Sequence, residues 1–144
     1  YGSEIVATEP SLLVIEGANM AIKGLSPTQR TLKALREQGA IADITERYIA
    51  PIHIRKDLFG FIDLIALIPG KGIVGVQCTS DSNRASHREK ILTNEYAPEW
   101  LKYGGKIELW TWGKHKLVRG GKAERWSANI EEITITQYGN TKVE

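Results

Sequence analysis

Residues 59–80 read Phe-Gly-Phe-Ile-Asp-Leu-Ile-Ala-Leu-Ile, then Pro-Gly-Lys-Gly, then Ile-Val-Gly-Val-Gln-Cys-Thr-Ser. Two apolar runs flank a turn, the pattern of a β-hairpin. Asp63 interrupts the first run, and Gln77 and Thr79 end the second. An ionised carboxylate in apolar surroundings costs several kcal/mol unless it is paired. Asp63 therefore has either a structural partner, an arginine or backbone N–H groups, or a metal ion.

Side chains alternate along a strand. Phe59, Phe61, Asp63, Ile65 and Leu67 share one face, and Leu58, Ile62, Leu64 and Ala66 the other. Both faces are apolar, so the strand is interior and covered on both sides. On the second strand Ile73, Gly75, Gln77 and Thr79 oppose Val74, Val76 and Cys78. An odd loop, with Ile68 paired to Gly72 across residues 69–71, sets Asp63 opposite Gln77. An even loop sets Asp63 opposite Cys78, on the face of Val74 and Val76. Polar groups are cheaper to bury together than apart, which favours the odd register.

Working outward, Ser26 is a good N-cap, Pro27 suits the first helical position and Gly39 the C-terminal stop. Leu32 and Leu35 recur between them at helical spacing. Residues 41–49 lean towards a strand, and residues 51–57 read as a basic loop with His53, Arg55 and Lys56. Beyond the hairpin, residues 84–93 and 96–103 read as helices. Residues 106–112 alternate as a half-buried strand, Gly113-Lys114 as a turn, 116–119 as a return strand and 125–136 as a last strand region. Residues 1–25 form a weakly patterned extension, with a short strand expected at 11–16. Met20, the sole methionine, is a candidate natural start. One domain is expected over residues 26–136, with a frayed polar tail at 137–144. The order predicts an α/β or α+β fold around a central mixed sheet flanked by helices.

The composition, 42% hydrophobic and 25% charged, is that of an ordinary globular domain. The net charge of +2 is too mild to name a partner, so local clusters must carry any nucleic-acid argument. Cys78 is the sole cysteine, which excludes an intramolecular disulfide and a zinc-type cluster and fits a cytoplasmic location. No apolar run approaches the roughly 20 residues that span a bilayer.

Helix, strand with an interior Asp, tight hairpin, strand, helix: this arrangement resembles the core of the PD-(D/E)xK nucleases. It is most similar to archaeal Holliday-junction resolvases and virus-type replication-repair nucleases. The resemblance covers residues 26–112. Phe61-Ile-Asp-Leu-Ile-Ala matches the second motif, and Gly75-Val-Gln-Cys-Thr-Ser stands where the third belongs. It implies a restriction-endonuclease-like core and hydrolysis of phosphodiester bonds in DNA, including branched DNA. It implies Mg²⁺ or Mn²⁺ as cofactor, and a homodimer. Asp63 would anchor the metal, Gln77 would offer its amide oxygen, and the Cys78 carbonyl would be a further ligand. Thr79 occupies the place of the usual lysine, and Lys90 on the following helix is the candidate replacement. Gln29 stands near the optional helical acid. Asp57, six residues before Asp63 and of the same parity, is a candidate second carboxylate, and Glu46 a third. Gln29, Gln77 and Thr79 depart from the pattern: two amides in place of acids would weaken a metal site, and a threonine carries no positive charge.

Arg84, His87 and Arg88 share one helix face with Ile91. Two arginines early in a helix oppose its macrodipole, which points to an anionic partner such as DNA phosphate, or to nothing more than a solvated face. Arg55 and Lys56 are similar candidates for phosphate contact. His53, His87 and His115 lack metal-ligand spacing. Cys78 alternates into the core, and the four tryptophans are mostly core, with base stacking as their functional alternative. Three readings stand: an active nuclease, a degenerate nuclease fold that binds nucleic acid or protein, and an unrelated α/β binding module with a structural Asp63.

Overall fold

The computed structural model describes residues 24–138. The strand expected at 11–16 lies outside them. Helix α1 (Pro27–Glu37) starts on a capping box in which Ser26 and Gln29 satisfy each other's backbone N–H groups. It ends where Gly39 takes a φ of +91°, a left-handed turn that favours glycine. Arg36 then ties the helix to the first strand by donating from Nη2 to the Ala42 carbonyl at 2.8 Å.

Five strands form the main sheet in the order β1 (Ile41–Ile44), β4 (Leu64–Ile68), β5 (Gly72–Ser80), β6 (Lys106–Lys116), β7 (Glu124–Ile133). β5 and β6 run parallel and the other neighbours antiparallel. The fold is thus α/β with a mixed central sheet. Ile68 pairs with Gly72 and Leu64 with Val76, the odd register.

The sheet buries both faces. On one, Leu35 of α1 packs with Leu64, Ala66, Val74, Val76, Cys78 and Trp110. On the other, helices α2 (Arg84–Leu92) and α3 (Ala97–Lys102) bring Ile91 and Ala97 onto Phe61, Ile62, Ile107, Leu109 and Ile133. Leu35 and Leu64 are fully buried; truncating either to alanine costs about 2–5 kcal/mol. Among the described residues no helix is long and apolar enough to cross a membrane.

Several sequence expectations need correction. The first hairpin strand begins at Leu64, because Phe59 and Gly60 take φ of 56° and 85° and turn the chain back. Ile62 consequently packs with Phe61, across from its expected companions Leu64 and Ala66. The strand expected over 41–49 splits. Its second half, β2 (Arg47–Ile49), leaves the main sheet and pairs with β3 (Ile54–Lys56), which lies in the expected loop. Gly113 and Lys114 form no turn; they pair with Ser127 and Trp126 inside the β6–β7 ladder. Of the expected return strand at 116–119, Lys116 ends β6, paired with Glu124, and residues 117–119 belong to the connection between those strands. The tail begins anchored: Tyr138 donates to the Ile91 carbonyl at 3.0 Å.

Candidate metal centre

Asp63 is the junction of three segments. Its N–H donates to the Val76 carbonyl at 2.8 Å, which fixes it to β5. Its own carbonyl accepts from the N–H groups of Thr45 and Glu46 at 2.8 and 3.3 Å, and the Thr45 hydroxyl donates to the Ile62 carbonyl at 3.0 Å. These bonds draw Glu46 to the site as the chain leaves β1. Asp57 arrives by another route. After β3, Leu58 and Ile62 exchange backbone hydrogen bonds of 2.9 and 3.0 Å around the turn at Phe59 and Gly60. That closure sets Asp57 and Asp63 on the two legs of one loop. Asp57 was expected beside Asp63 through strand parity; the turn brings it there instead.

Glu46, Asp57 and Asp63 each offer a carboxylate oxygen, and the three oxygens lie within 4.8 Å of one another. Two oxygens on opposite sides of a small divalent ion, at about 2.1 Å each, would stand roughly 4.2 Å apart. The donor set is all oxygen, which suits a hard divalent cation such as Mg²⁺, Mn²⁺ or Ca²⁺. Asp63 is buried at 5% exposure, and the Asp57 and Glu46 side chains are mostly covered.

Gln77 organises the inner side. Its Nε2 donates to Asp63 Oδ2 at 3.0 Å and to the Phe61 carbonyl at 2.9 Å, with Asp57 Oδ2 at 3.4 Å. Its Oε1 faces His87 Nδ1 at 3.0 Å. The amide was expected to present oxygen to a metal. The nitrogen faces the acids instead, because two carboxylates and a carbonyl surround it and only a donor satisfies them. Cys78 enters through its N–H, which donates to Asp63 Oδ2 at 2.9 Å; its thiol is buried on the far face, and that burial pushes its pKa up.

Lys90 reaches the site from α2, with Nζ at 2.6 Å from Asp57 Oδ2. Lys90 is thus the ammonium group bonded to the cluster. Thr79 itself is buried one step beyond Gln77, paired with Thr111 in the parallel ladder, and none of the acids' hydrogen bonds goes to it.

The electrostatics follow from crowding. Burial, the hydrogen bond shared with Asp57 and that residue's charge push the Asp63 carboxyl up to about 8, against the pull of the Cys78 N–H; Glu46 adds to the rise. Burial also pushes Asp57 up, but the proton on Asp63 and the Lys90 ammonium outweigh it and hold Asp57 below its ordinary value. The pair shares one proton. Partial burial and the charge of Lys90 lower His87, with Asp57 opposing.

The remaining basic candidates divide. Arg84 donates to Glu131 Oε1 and to the Thr111 hydroxyl, both at 2.8 Å, and Arg88 donates to Glu131 Oε2 at 2.9 Å. The anion that their position against the helix dipole called for is Glu131 on β7. Arg55 sits at the rim, 3.9 Å from Glu46 Oε1 with its guanidinium 5.6 Å from the Tyr48 ring centre. Lys56 is exposed opposite Arg47 on the small hairpin. Gln29 serves the capping box and lines a hollow of about 550 Å³ whose wall includes Glu46 and Arg55.

Sequence reasoning weighed Glu46 only as a third option and missed the Phe61 carbonyl and the support of Gln77 by His87. The contact between residues 77 and 87 spans a strand end, a 3-10 turn and a helix start, and no periodicity reports it. Comparison with protein-family models, with curated proteins and with solved structures gave no match for this chain.

Proposed function

We propose that the chain is a metal-dependent nuclease with a restriction-endonuclease-like core, hydrolysing phosphodiester bonds in DNA. The observation that carries this reading is the convergence of Glu46, Asp57 and Asp63 within 4.8 Å, with Lys90 at the edge. A bound Mg²⁺ or Mn²⁺ would supply an acidified water and stabilise charge on the phosphate. The chain's own residues do the rest. The three carboxylates would hold the cation. Gln77, braced by His87, fixes the direction of Asp63. Lys90, its side chain 40% exposed, turns its Nζ from Asp57 to donate to a phosphate oxygen as negative charge develops. Arg47, Arg55 and Lys56 on the β2–β3 hairpin offer charge to the DNA backbone without reading sequence. The cytoplasmic location and the homodimer expected from the sequence belong to this same reading.

A second reading, DNA binding without cleavage, draws on the Gln77 amide nitrogen that faces the acids where the resembled nucleases use a carboxylate. One experiment separates the two. The protein is incubated with branched, single-stranded and duplex DNA, with Mg²⁺ or Mn²⁺, alongside Asp63→Ala. Cleavage by the wild type alone supports the nuclease. Binding without cleavage supports the second reading, and cleavage that survives Asp63→Ala refutes the proposed site.

A further inference from the structure

A hollow of about 450 Å³ lies on the outer side of the same loop, lined by Phe59, Ile73, Tyr96, Glu99, Trp100 and Tyr103. Phe59 lies 6.1 Å from the Tyr96 ring and 6.3 Å from the Trp100 ring, tilted by 53° and 55°. The indole is fixed: its Nε1 donates to the Lys106 carbonyl at 2.8 Å. Gly105 leaves room for it, since a Cβ there would stand 2.4 Å from the ring. Phe59 holds a left-handed backbone, φ 56°, with its side chain half exposed. A bulky residue with positive φ is a genuine outlier, and here it buys little burial. Its ring lines the hollow with Tyr96, also half exposed, and Tyr103, 88% exposed.

We infer that this aromatic hollow receives an unpaired nucleobase from a DNA strand whose phosphate lies at the acidic cluster. The substrate class then becomes DNA with unpaired nucleotides beside the cut. The choice of a nucleobase among flat ligands rests on the nuclease reading. The connection is physical. Phe59 is the tip of the loop that carries Asp57 and Asp63, and its Cα lies at most ~7.6 Å from that of Asp57. Helix α2 and the residues after it run along the same path: Lys90 donates to Asp57, and Asn94 Nδ2 donates to the Phe59 carbonyl at 2.9 Å. Aromatic rings stack any base on its π-face, so the hollow needs no sequence preference. A base inside a duplex is stacked and paired and cannot enter without flipping. Glu99 is the acidic group of the wall; it lies 3.3 Å from Lys102, which limits its repulsion of a DNA strand.

The test uses a single-stranded oligodeoxynucleotide carrying one 2-aminopurine, and the same strand annealed to its complement, both with EDTA so that no cleavage occurs. Stacking quenches the probe. The expected result is quenching with the single strand, weak or absent quenching with the duplex, and a loss of affinity of about tenfold or more in Tyr96→Ala or Tyr103→Ala. Both tyrosines are exposed, so these variants keep the fold. They should also leave metal-dependent hydrolysis of bis(p-nitrophenyl) phosphate unchanged. The proposal is overturned if the single strand is not quenched, if both variants bind it like wild type, or if duplex binding falls equally. Asp63→Asn separates the two ideas: it should abolish hydrolysis and keep quenching. Quenching that depends on the tyrosines in a protein that cuts nothing would sink the nuclease and leave the hollow standing.

Discussion

The proton shared by Asp57 and Asp63 predicts how metal affinity depends on pH. Without a cation the Asp63 carboxyl sits at about 8, so at pH 7 it is about nine-tenths protonated. A divalent ion takes the carboxylate, and binding at pH 7 should release about 0.9 proton. Apparent affinity for Mg²⁺ should therefore weaken about tenfold, or about 1.4 kcal/mol, for each pH unit below 8, and level off above it. Calorimetric titration with Mg²⁺ at several pH values, in buffers of different ionisation enthalpy, reads both the affinity and the proton count. The stability of the metal-free protein carries the opposite trend from the same group. A carboxyl raised above its unfolded value of 3.8 stabilises fully below that value, and the contribution is lost as pH rises through about 8. Asp57, held low, works the other way: its contribution is present above the unfolded value and lost as pH falls. Metal at a hundred times its Kd should restore about 2.7 kcal/mol. Affinity that is flat between pH 6 and 8, or that survives Asp63→Asn, would refute the assignment of the cluster as a cation site.

Gln77→Glu places a fourth carboxylate in the cluster; it should lower the thermal midpoint of the metal-free protein and tighten Mg²⁺ binding, both readable in one thermal-shift series. Gln77→Leu removes the amide that donates to the Phe61 carbonyl and to Asp63, leaving Asp63 only the Cys78 N–H, and should cost about 1–3 kcal/mol in urea unfolding. Lys90→Met removes the cation that competes for Asp57, so metal should bind more tightly while DNA cleavage falls; equal loss of both would count against the assigned role. Gly105→Ala drives a Cβ to 2.4 Å from the indole of Trp100 and should destabilise by about 1–3 kcal/mol with a shift in tryptophan emission.

The hairpin register was legible because alternation and loop parity leave two choices, and one gathers Asp63, Gln77 and Thr79 on a shared face. The contact between Asp63 and Gln77 follows from that arithmetic. The approach of Asp57 was not legible. Phe59-Gly60-Phe61 looks like strand by composition, and nothing in the letters says that a phenylalanine takes a left-handed φ. Gly113 misled in the opposite sense. It reads as a turn, yet it pairs with Ser127 inside β6, where the Asp81 carboxylate lies over the space a Cβ would take. A glycine kept for close approach and a glycine kept for a turn look alike in sequence. The split after Ile44 was hidden too, because the Asp63 carbonyl that captures Thr45 and Glu46 is far along the chain.

The distribution of positive charge bears on what the acidic cluster is for. Glu131 alone receives two arginines, Arg84 and Arg88, from α2. Three residues beyond Arg84 on that helix, His87 turns to Gln77, and its lowered pKa keeps it neutral. Glu46, Asp57 and Asp63 together have Lys90 at bonding distance and Arg55 at 3.9 Å on the rim. A cluster selected for stability would favour the reverse assignment, with an arginine fork on the buried acids, because an unpaired buried carboxylate costs more than an exposed one. The chain instead directs neutral donors at Asp63, from Gln77 and the Cys78 N–H, and leaves its charge to be cancelled by the proton it shares with Asp57. A proton is exchangeable where an arginine is not, so a cation bound at these acids, as proposed, would displace it and find the carboxylate already oriented.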